Sequence, residues 1–532
     1  MSTPQEETQI LPGRGQVLRA ATIVSVAFLI SRVLGFVRGA IIVNIYSLDT
    51  IQVNAYEIAS RLPDTLFYII AGGALGSAFI PTFAAYFVRD DEAGGWRLFS
   101  AILNLITVVL VVVSALAAIF AREFLSLFYF ELMAEQPGLL ELSTELTRVM
   151  LLSTIIFGIS GVFMAALNAR QHFVLPAIAP IVYNVGIIVG TIALAPNVMG
   201  IALGTVAGAA GHMLIQIPGL RLRRARYSPI LTARDPGVQQ VIRLMIPRML
   251  GLSFGQVNHF VLQFMGQFML FGSIPALTNA WRVVLLPQGA IGQALGIVAF
   301  PTLAALAAQR SLAQMRRILA DSLRLISFLG IPATMILMVL SRPIIALLFQ
   351  RGAFDAQDTL LVAWALAFYA PGLVGLSALE VISRAFYSLE DTWTPVLAGG
   401  VQLLVMAALG YWLSGIVFPA WGWLSLGGLA LAVSISSTIE AGGLLWLLRP
   451  RLGGVDGHHL WDGVWRMSLA GLVMGGVMWA AYGWLVGQGV GMLWQLVLGS
   501  LAGGGVYLLL CWLLRVQEIG QFWAMARQRL RR

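Results

Sequence analysis

Long apolar runs separated by short polar breaks dominate the chain. Fourteen can be drawn, near 17–46, 52–87, 97–120, 141–168, 174–195, 198–220, 238–270, 276–308, 314–340, 357–388, 394–413, 421–448, 462–486 and 491–514. Each reaches the ~20 residues that an α-helix needs to cross the hydrocarbon core of a bilayer. Pro and Gly mark the turns between runs, as at Pro196-Asn197 and Gly453-Gly454. The pattern predicts an all-α integral membrane protein with about 14 transmembrane helices. The first run does not read as a cleavable signal peptide: it is too long, arginines interrupt it, and no A-x-A site follows.

The polar breaks alternate in charge. Arg14 and Arg19 precede the first run; Arg89 and Arg97 follow the second, and Arg170 the fourth. Arg221, Arg223, Arg224, Arg226 and Arg234 follow the sixth, Arg310, Arg316 and Arg317 the eighth, and Arg449 and Arg451 the twelfth. Arg515, Arg527, Arg529, Arg531 and Arg532 follow the last. The intervening loops carry acids such as Asp49, Glu131, Glu135 and Asp355. Under the positive-inside rule both termini are expected in the cytoplasm.

Composition agrees with the pattern. Hydrophobic residues make up 59% of the 532 without counting 56 glycines, and charged residues only 11%, less than half the share of about 25% in soluble domains. That excludes a soluble enzyme, a disordered chain and a nucleic-acid-binding module. The net charge of +9 comes from 33 basic residues, all arginine, and is expected in loops and tails, not on a nucleic-acid surface. Cys511 stands alone and forms no internal disulfide, and no metal-ligand spacing is present: His458-His459 reads as a solvated loop.

An internal repeat organises the runs. A-L-G-S-A-F-I-P-T at Ala74 to Thr82 recurs as A-L-G-I-V-A-F-P-T at Ala294 to Thr302, 220 positions on. S-R-V-L-G at Ser31 to Gly35 matches P-R-M-L-G at Pro247 to Gly251 at an offset of 216, and Pro176 matches Pro395 at 219. The expected organisation is a cytoplasmic tail 1–16, a six-helix lobe 17–226, a second six-helix lobe 235–450, two appended helices in 460–515 and a basic cytoplasmic tail 516–532. Six helices per lobe give both lobes the same orientation, pseudo-symmetric about an axis near the membrane normal, as in alternating-access transporters. Pairs such as Gly72/Gly76, Gly292/Gly296 and Gly499/Gly503 suit close helix packing.

Ionised side chains inside a bilayer cost about 2.5–3.5 kcal/mol each on insertion scales and mark cavities or partners. Within the runs lie Arg32, Arg38, Arg61, Arg248, Arg282 and Arg384, with Glu57, Asp64, Glu380 and Glu440. The repeat aligns Arg32 with Arg248 and Arg61 with Arg282, so a pseudo-two-fold axis would turn all four toward one central cavity. Arg38 shares a face with Arg32 only if the helix bends, as Gly35 and Gly39 permit. Planar, permanently charged forks suit phosphate or carboxylate, so an anionic ligand is expected. Arg384 and Glu380, four apart, can form a helical ion pair. No catalytic constellation and no phosphate-binding G-x-x-x-x-G-K-[ST] motif is present. The expectation is therefore a transporter without a cofactor, driven by membrane potential or by a gradient of Na or H ions.

At these residues the chain resembles the MurJ/MviN family of lipid II flippases, within the superfamily of multidrug and polysaccharide exporters. The resemblance rests on S-R-V-L-G-F-V-R (Ser31 to Arg38), on A-S-R-L-P-D and the stretch G-A-L-G-S-A-F-I-P-T-F-A-A-Y-F ending at Phe87, on Ala280-Trp281-Arg282 with Pro287, and on R-A-F-Y-S-L-E-D-T-W-T-P (Arg384 to Pro395). It implies translocation of undecaprenyl-pyrophosphate-linked peptidoglycan precursor from the inner to the outer leaflet of the bacterial plasma membrane. It also implies a groove for the lipid tail that involves the two extra helices. The family's essential arginines fall on Arg32, Arg38 and Arg282, and its basic position before Leu-Pro on Arg61. A sodium site in the second lobe of some relatives directs attention to Glu440 as a candidate cation ligand. The chain departs from the family pattern at Gly39, Asn54, Phe67, Gly72, Trp281 and Leu285, where acids and one arginine are lost. The departures leave room for a flippase of another polyprenyl-linked saccharide, or for a non-transporting scaffold of a wall-synthesis complex. Expected partners are the lipid-linked substrate, membrane lipid and wall-synthesis proteins, with no nucleic acid and the protein itself a monomer.

Overall fold

A computed structural model describes residues 14–70 and 74–520; a few side chains within helices, that of Arg248 among them, lie outside the described residues. All regular structure in the described residues is helical. In chain order the helices are α1 (Arg14–Tyr46), α2 (Ile51–Ile70), α3 (Ala74–Val88), α4 (Glu92–Ile119), α5 (Ala121–Phe128), α6 (Phe130–Glu135), α7 (Leu139–Ala169), α8 (Val174–Ala193), α9 (Met199–Leu214), α10 (Ile217–Leu222) and α11 (Pro236–Gly266). They continue as α12 (Ser273–Gln288), α13 (Ala294–Ala308), α14 (Leu312–Val339), α15 (Ser341–Phe349), α16 (Ala356–Tyr369), α17 (Leu373–Ser388), α18 (Trp393–Trp412), the single turn α19 (Phe418–Ala420), α20 (Ser425–Arg451), α21 (Gly457–Gly487) and α22 (Met492–Leu513).

Twelve segments among the described residues are long and apolar enough to cross a membrane. The other two sequence-predicted runs are helical as well. The run 52–87 is divided into α2, which carries Glu57, Arg61 and Asp64, and α3 of only 15 residues. The run 238–270 is α11, whose apolarity is diluted by Arg243, Arg248, Asn258, His259 and several glutamines. These are the charged segments that the cavity reading singles out, so their low hydropathy and their polar content have one origin.

The chain divides into two compact units, residues 1–45 with 51–253 and residues 46–50 with 254–532. The repeat is visible in the helix boundaries themselves. Helices α3 and α13 have 15 residues each, α4 and α14 have 28, and α8 and α18 have 20. Their ends lie 219 or 220 positions apart. Turns repeat too: Asp90 and Arg310 both take positive φ (56° and 55°), as do Gln171 and Glu390 (55° and 61°).

The first unit packs Phe79, Phe83, Trp96 and Phe99 against Val162, Ala165 and Ala166 of α7, with Val238 and Val241 of α11 joining the same core. Phe83 meets Trp96 edge-on at 5.4 Å, a favoured aromatic geometry. Helices α8 and α9 approach closely because glycine lines both: a Cβ on Gly190 would lie 2.5 Å from the Gly200 carbonyl oxygen.

The second unit has a corresponding core of Leu303, Met315, Leu319, Val381, Phe386 and Leu444. The appended α21 lies along α14, where Gly471 faces Ile331 and Gly475 faces Met335. Buried Arg324 of α14 grips the segment after α22 by forking onto both carboxylate oxygens of Glu518. It also donates to the His459 carbonyl at 2.7 Å. Gly463 leaves the room that this guanidinium fills.

Candidate functional site

In the first unit the candidate side chains come from α1 and α2. Arg32 is half-buried, its guanidinium 4.8 Å from the Phe28 ring centroid. Arg38, nearly two turns on, lies 5.8 Å over the Tyr183 ring of α8. The charges of Glu57 and Asp64 act on it, and its Nε is buried without a hydrogen-bond partner. Glu57 is buried and Arg61 half-buried on α2. The Arg61 charge reaches Tyr129 in the turn between α5 and α6, where burial raises the phenol above its ordinary value and Arg61 partly opposes that rise.

Helix α2 can carry these groups because its own breaks are met from α7. Pro63 lacks the N–H that would bind the Ala59 carbonyl. The Thr147 hydroxyl, which donates to the Ser143 carbonyl at 2.7 Å, also lies 3.4 Å from that oxygen, and the Thr154 hydroxyl donates to the Pro63 carbonyl at 3.3 Å. Inside a membrane such freed carbonyls must find internal donors.

Behind α2 lies a cavity of about 380 Å³, walled by α2, α3, α7, α8 and α9. Asp64, Phe67, Phe157, Tyr183 and His212 line it. His212 is held by a second set of contacts that sequence reasoning missed. The Gln216 amide donates to Ser160 Oγ at 2.7 Å and to the His212 carbonyl at 2.9 Å. Ser160 Oγ lies 2.7 Å from His212 Nδ1. A histidine 52 residues from its serine leaves no periodic signal.

In the second unit Arg282 is half-buried on α12 and donates to Asn279 Oδ1 at 2.9 Å. Arg384 and Glu380 of α17 form an ion pair, and the Gln288 amide donates to the other Glu380 oxygen at 3.2 Å. Glu440, half-buried on α20, faces Gly399 of α18, and its charge reaches Tyr387 together with those of Glu380 and Arg384. One turn from it, Asn258 donates to Gln402 at 3.0 Å and Gln402 to Ser436 at 2.9 Å. This chain of neutral polar groups links α11, α18 and α20. Among the described residues no cluster of three or more His, Cys, Asp or Glu could hold a metal ion.

The structure thus groups Arg38 with Glu57 and Asp64 in one unit, and Arg384 with Glu380 and Gln288 in the other. The Arg248 side chain lies outside the described residues. The positions where the chain departs from the family pattern are varied in their surroundings. Asn54 is buried on α2; Phe67 packs 4.7 Å from Phe157; Trp281 packs edge-on to Tyr369 at 5.3 Å; Leu285 is exposed; Gly72 lies outside the described residues.

Comparisons with known proteins point one way. A family model described as "Lipid II flippase MurJ" matches residues 48–519. A "Probable lipid II flippase MurJ" of Vibrio cholerae is 29% identical over 482 residues, covering 87% of this chain and 89% of its own length. A "Lipid II flippase MurJ" of Burkholderia cenocepacia is 27% identical, with 82% and 84% covered. Among solved structures, "Lipid II flippase MurJ, inward closed conformation" superposes with a TM-score of 0.75 at 24% identity, covering 92% of this chain and 98% of that one. An inward-facing multidrug MATE transporter of the MOP superfamily gives 0.69 at 15% identity, with 82% and 99% covered. At these identities the structural likeness establishes the fold.

Proposed function

This chain belongs to the MurJ family of lipid II flippases, and we propose that it moves lipid II, the polyprenyl-pyrophosphate-linked peptidoglycan precursor, from the inner to the outer leaflet. It is a multi-pass protein of the bacterial inner membrane, and a transporter by family. The observation that carries the proposal is the match across 48–519, which takes in the first repeat from α2 onward and the whole of the second.

In this reading transport is by alternating access. Arg32, Arg38 and Arg61 of the first sequence repeat, and Arg248 and Arg282 of the second, draw in the pyrophosphate from the cytoplasmic leaflet. Guanidinium forks match two phosphate oxygens at a time. Their spread along two helices of each repeat suits a diphosphate better than a single carboxylate. Both termini are cytoplasmic in this reading, which the arginine-rich loops support. Arg384 and Glu380 act as a structural pair beside the cavity. Glu440 is not needed for pyrophosphate binding, and the driving force is the membrane potential.

The test is rescue of a bacterium depleted of its own lipid II flippase, with lipid II at the cell surface read by an external probe. Wild type is expected to restore surface lipid II. Arg32→Ala and Arg282→Ala, at equal membrane abundance, are expected to lower it at least tenfold. Rescue by both arginine variants at wild-type level would exclude the arginine cavity; failure of a well-inserted wild type would exclude lipid II as the cargo.

A further inference from the structure

Asparagine suits the middle of a helix poorly, because its amide competes for backbone hydrogen bonds, and a buried amide is costly unless it is bonded. Asn279 nevertheless stands midway along α12 and is fully buried. The repeat shows that packing does not ask for it. At an offset of 221, the one that aligns Arg282 with Arg61, Asn279 corresponds to Ile58, which is buried in α2. The first repeat thus accepts an apolar side chain three residues before its arginine, where the second has an amide.

Two partners fix what this amide does. Its Nδ2 donates to the Pro275 carbonyl at 2.8 Å, one turn back, and its Oδ1 accepts from Nη1 of Arg282 at 2.9 Å, one turn on. A carbonyl only accepts and a guanidinium only donates, so the amide has one orientation. Reversing it would break both bonds and set an NH2 group against the guanidinium. Pro275, Asn279 and Arg282 follow at i, i+4 and i+7, a single stripe of the helix. The helix beneath the stripe is held by its other faces: Ala276, Ala280, Val283 and Val284 are buried, and the Trp281 ring packs against Tyr369 of α16.

Carbonyl, amide and guanidinium therefore form a fixed series that ends on half-buried Arg282. Holding a long side chain in one orientation before a ligand arrives lowers the entropic cost of binding. The acceptor is neutral, so this contact orients the guanidinium without cancelling its charge. A carboxylate in the same place would do both.

We propose that Asn279 is a positioning residue: its amide, locked on the Pro275 carbonyl, holds the Arg282 guanidinium in the orientation that receives a phosphate oxygen of the cargo. The role rests on the pyrophosphate reading and adds to it a residue that acts through Arg282.

The full-length protein in lipid nanodiscs is titrated with methylenediphosphonate, a soluble diphosphate mimic, and the same variants are assayed for lipid II flipping in proteoliposomes. Asn279→Leu removes the acceptor. It is expected to weaken diphosphonate binding about tenfold, the scale of one hydrogen bond to a charged group, and to slow flipping, at an unchanged melting temperature. In an Arg282→Ala background the same change is expected to have no further effect, since nothing is left to position. A structural role would lower binding in both backgrounds alike. Thr278→Val, which removes the neighbouring hydroxyl bonded to the Ile274 carbonyl, is expected to bind like wild type. Should Asn279→Leu fail to fold, Asn279→Asp keeps the shape and the acceptor but sets a carboxylate on the guanidinium, and is expected to weaken binding at least tenfold. Wild-type affinity in a folded Asn279 variant, or equal losses in the two backgrounds, would overturn the positioning role alone. Wild-type protein that neither binds the diphosphonate nor flips lipid II would overturn the pyrophosphate reading and this role with it.

Discussion

At Gly296 one methyl group would crowd the seat that Arg384 takes beside Glu380. The added carbon would meet the guanidinium on one side and the Glu380 carbonyl on the other, so an alanine pushes a charged group out of a half-buried seat. Overpacking of this kind costs about 1–3 kcal/mol. Gly296→Ala is therefore expected to lower the melting temperature of the detergent-solubilised protein, while Gly76→Ala, its repeat mate with open space around it, leaves it within error. Equal effects at the two positions would show that the seat is not what distinguishes them. The loop before α18 holds a second residue-scale test. Burial raises the Asp391 carboxyl, but bonds from the Thr394 hydroxyl and N–H and from the Arg451 guanidinium outweigh it, and the group sits at about 2. A folded-state value below the ordinary ~3.9 means that the stabilisation is complete above about pH 4 and is lost as pH falls toward 2. Asp391→Asn is expected to be less stable than wild type at neutral pH, the gap closing on acidification. The two clusters also show what single residues reveal in advance. Arg384 and Glu380 are legible as a pair because i and i+4 share a helix face. Their seat on Gly296, and the His212–Ser160–Gln216 set, arise from helices meeting across 84 and 52 residues, which no local spacing encodes.

At the scale of helices the chain was readable wherever apolar length alone decides the element. The pairs α3/α13, α4/α14 and α8/α18 recur with equal lengths because the turns that end them recur. Hydropathy is weakest at α2 and α11, where charged and amide side chains interrupt the apolar face, and it does not show that 52–87 divides into two helices. Helix contacts are similarly uneven in their legibility. Glycine abundance signals close packing, but only the structure separates the glycines that are contacts from those that face open space. On α8 and α9, Gly186, Gly190, Gly204 and Gly208 face each other's backbone, which cannot retreat as a side chain can. Gly190→Ala is expected to separate α8 from α9 and sharply reduce the yield of folded protein in a fluorescence-detected gel-filtration assay. Gly443→Ala on α20, with nothing within 4 Å, is expected to elute like wild type. A Gly190→Ala protein that elutes and melts like wild type would mean that the α8–α9 approach tolerates a further methyl group.

For the whole molecule, the sign of the proposed cavity and the sign of its cargo together set the direction of transport. A pyrophosphate headgroup is anionic, and the cytoplasmic side of the membrane is negative. Each elementary charge crossing 100 mV is worth about 2.3 kcal/mol, so outward movement of the headgroup runs with the potential. The emptied cavity carries the opposite sign, because its arginines stay charged at any physiological pH. Its return to the inward-facing state moves positive charge toward the negative side, again with the potential. The loaded step carries the arginines outward together with the headgroup, so the two steps sum to the headgroup's charge alone, and the cycle as a whole runs with the potential without a bound cation. An acid-lined cavity would reverse both signs and need an ion to discharge it. In proteoliposomes carrying lipid II, with the potential set by potassium and valinomycin, flipping from the face corresponding to the cytoplasm is expected to accelerate several-fold when that face is negative. It is expected to slow when the polarity is reversed, and to be indifferent to sodium and to pH gradients at fixed potential. A rate that ignores polarity but follows a sodium or proton gradient at zero potential would transfer the driving role to a coupled ion, and would make Glu440 the first residue to substitute.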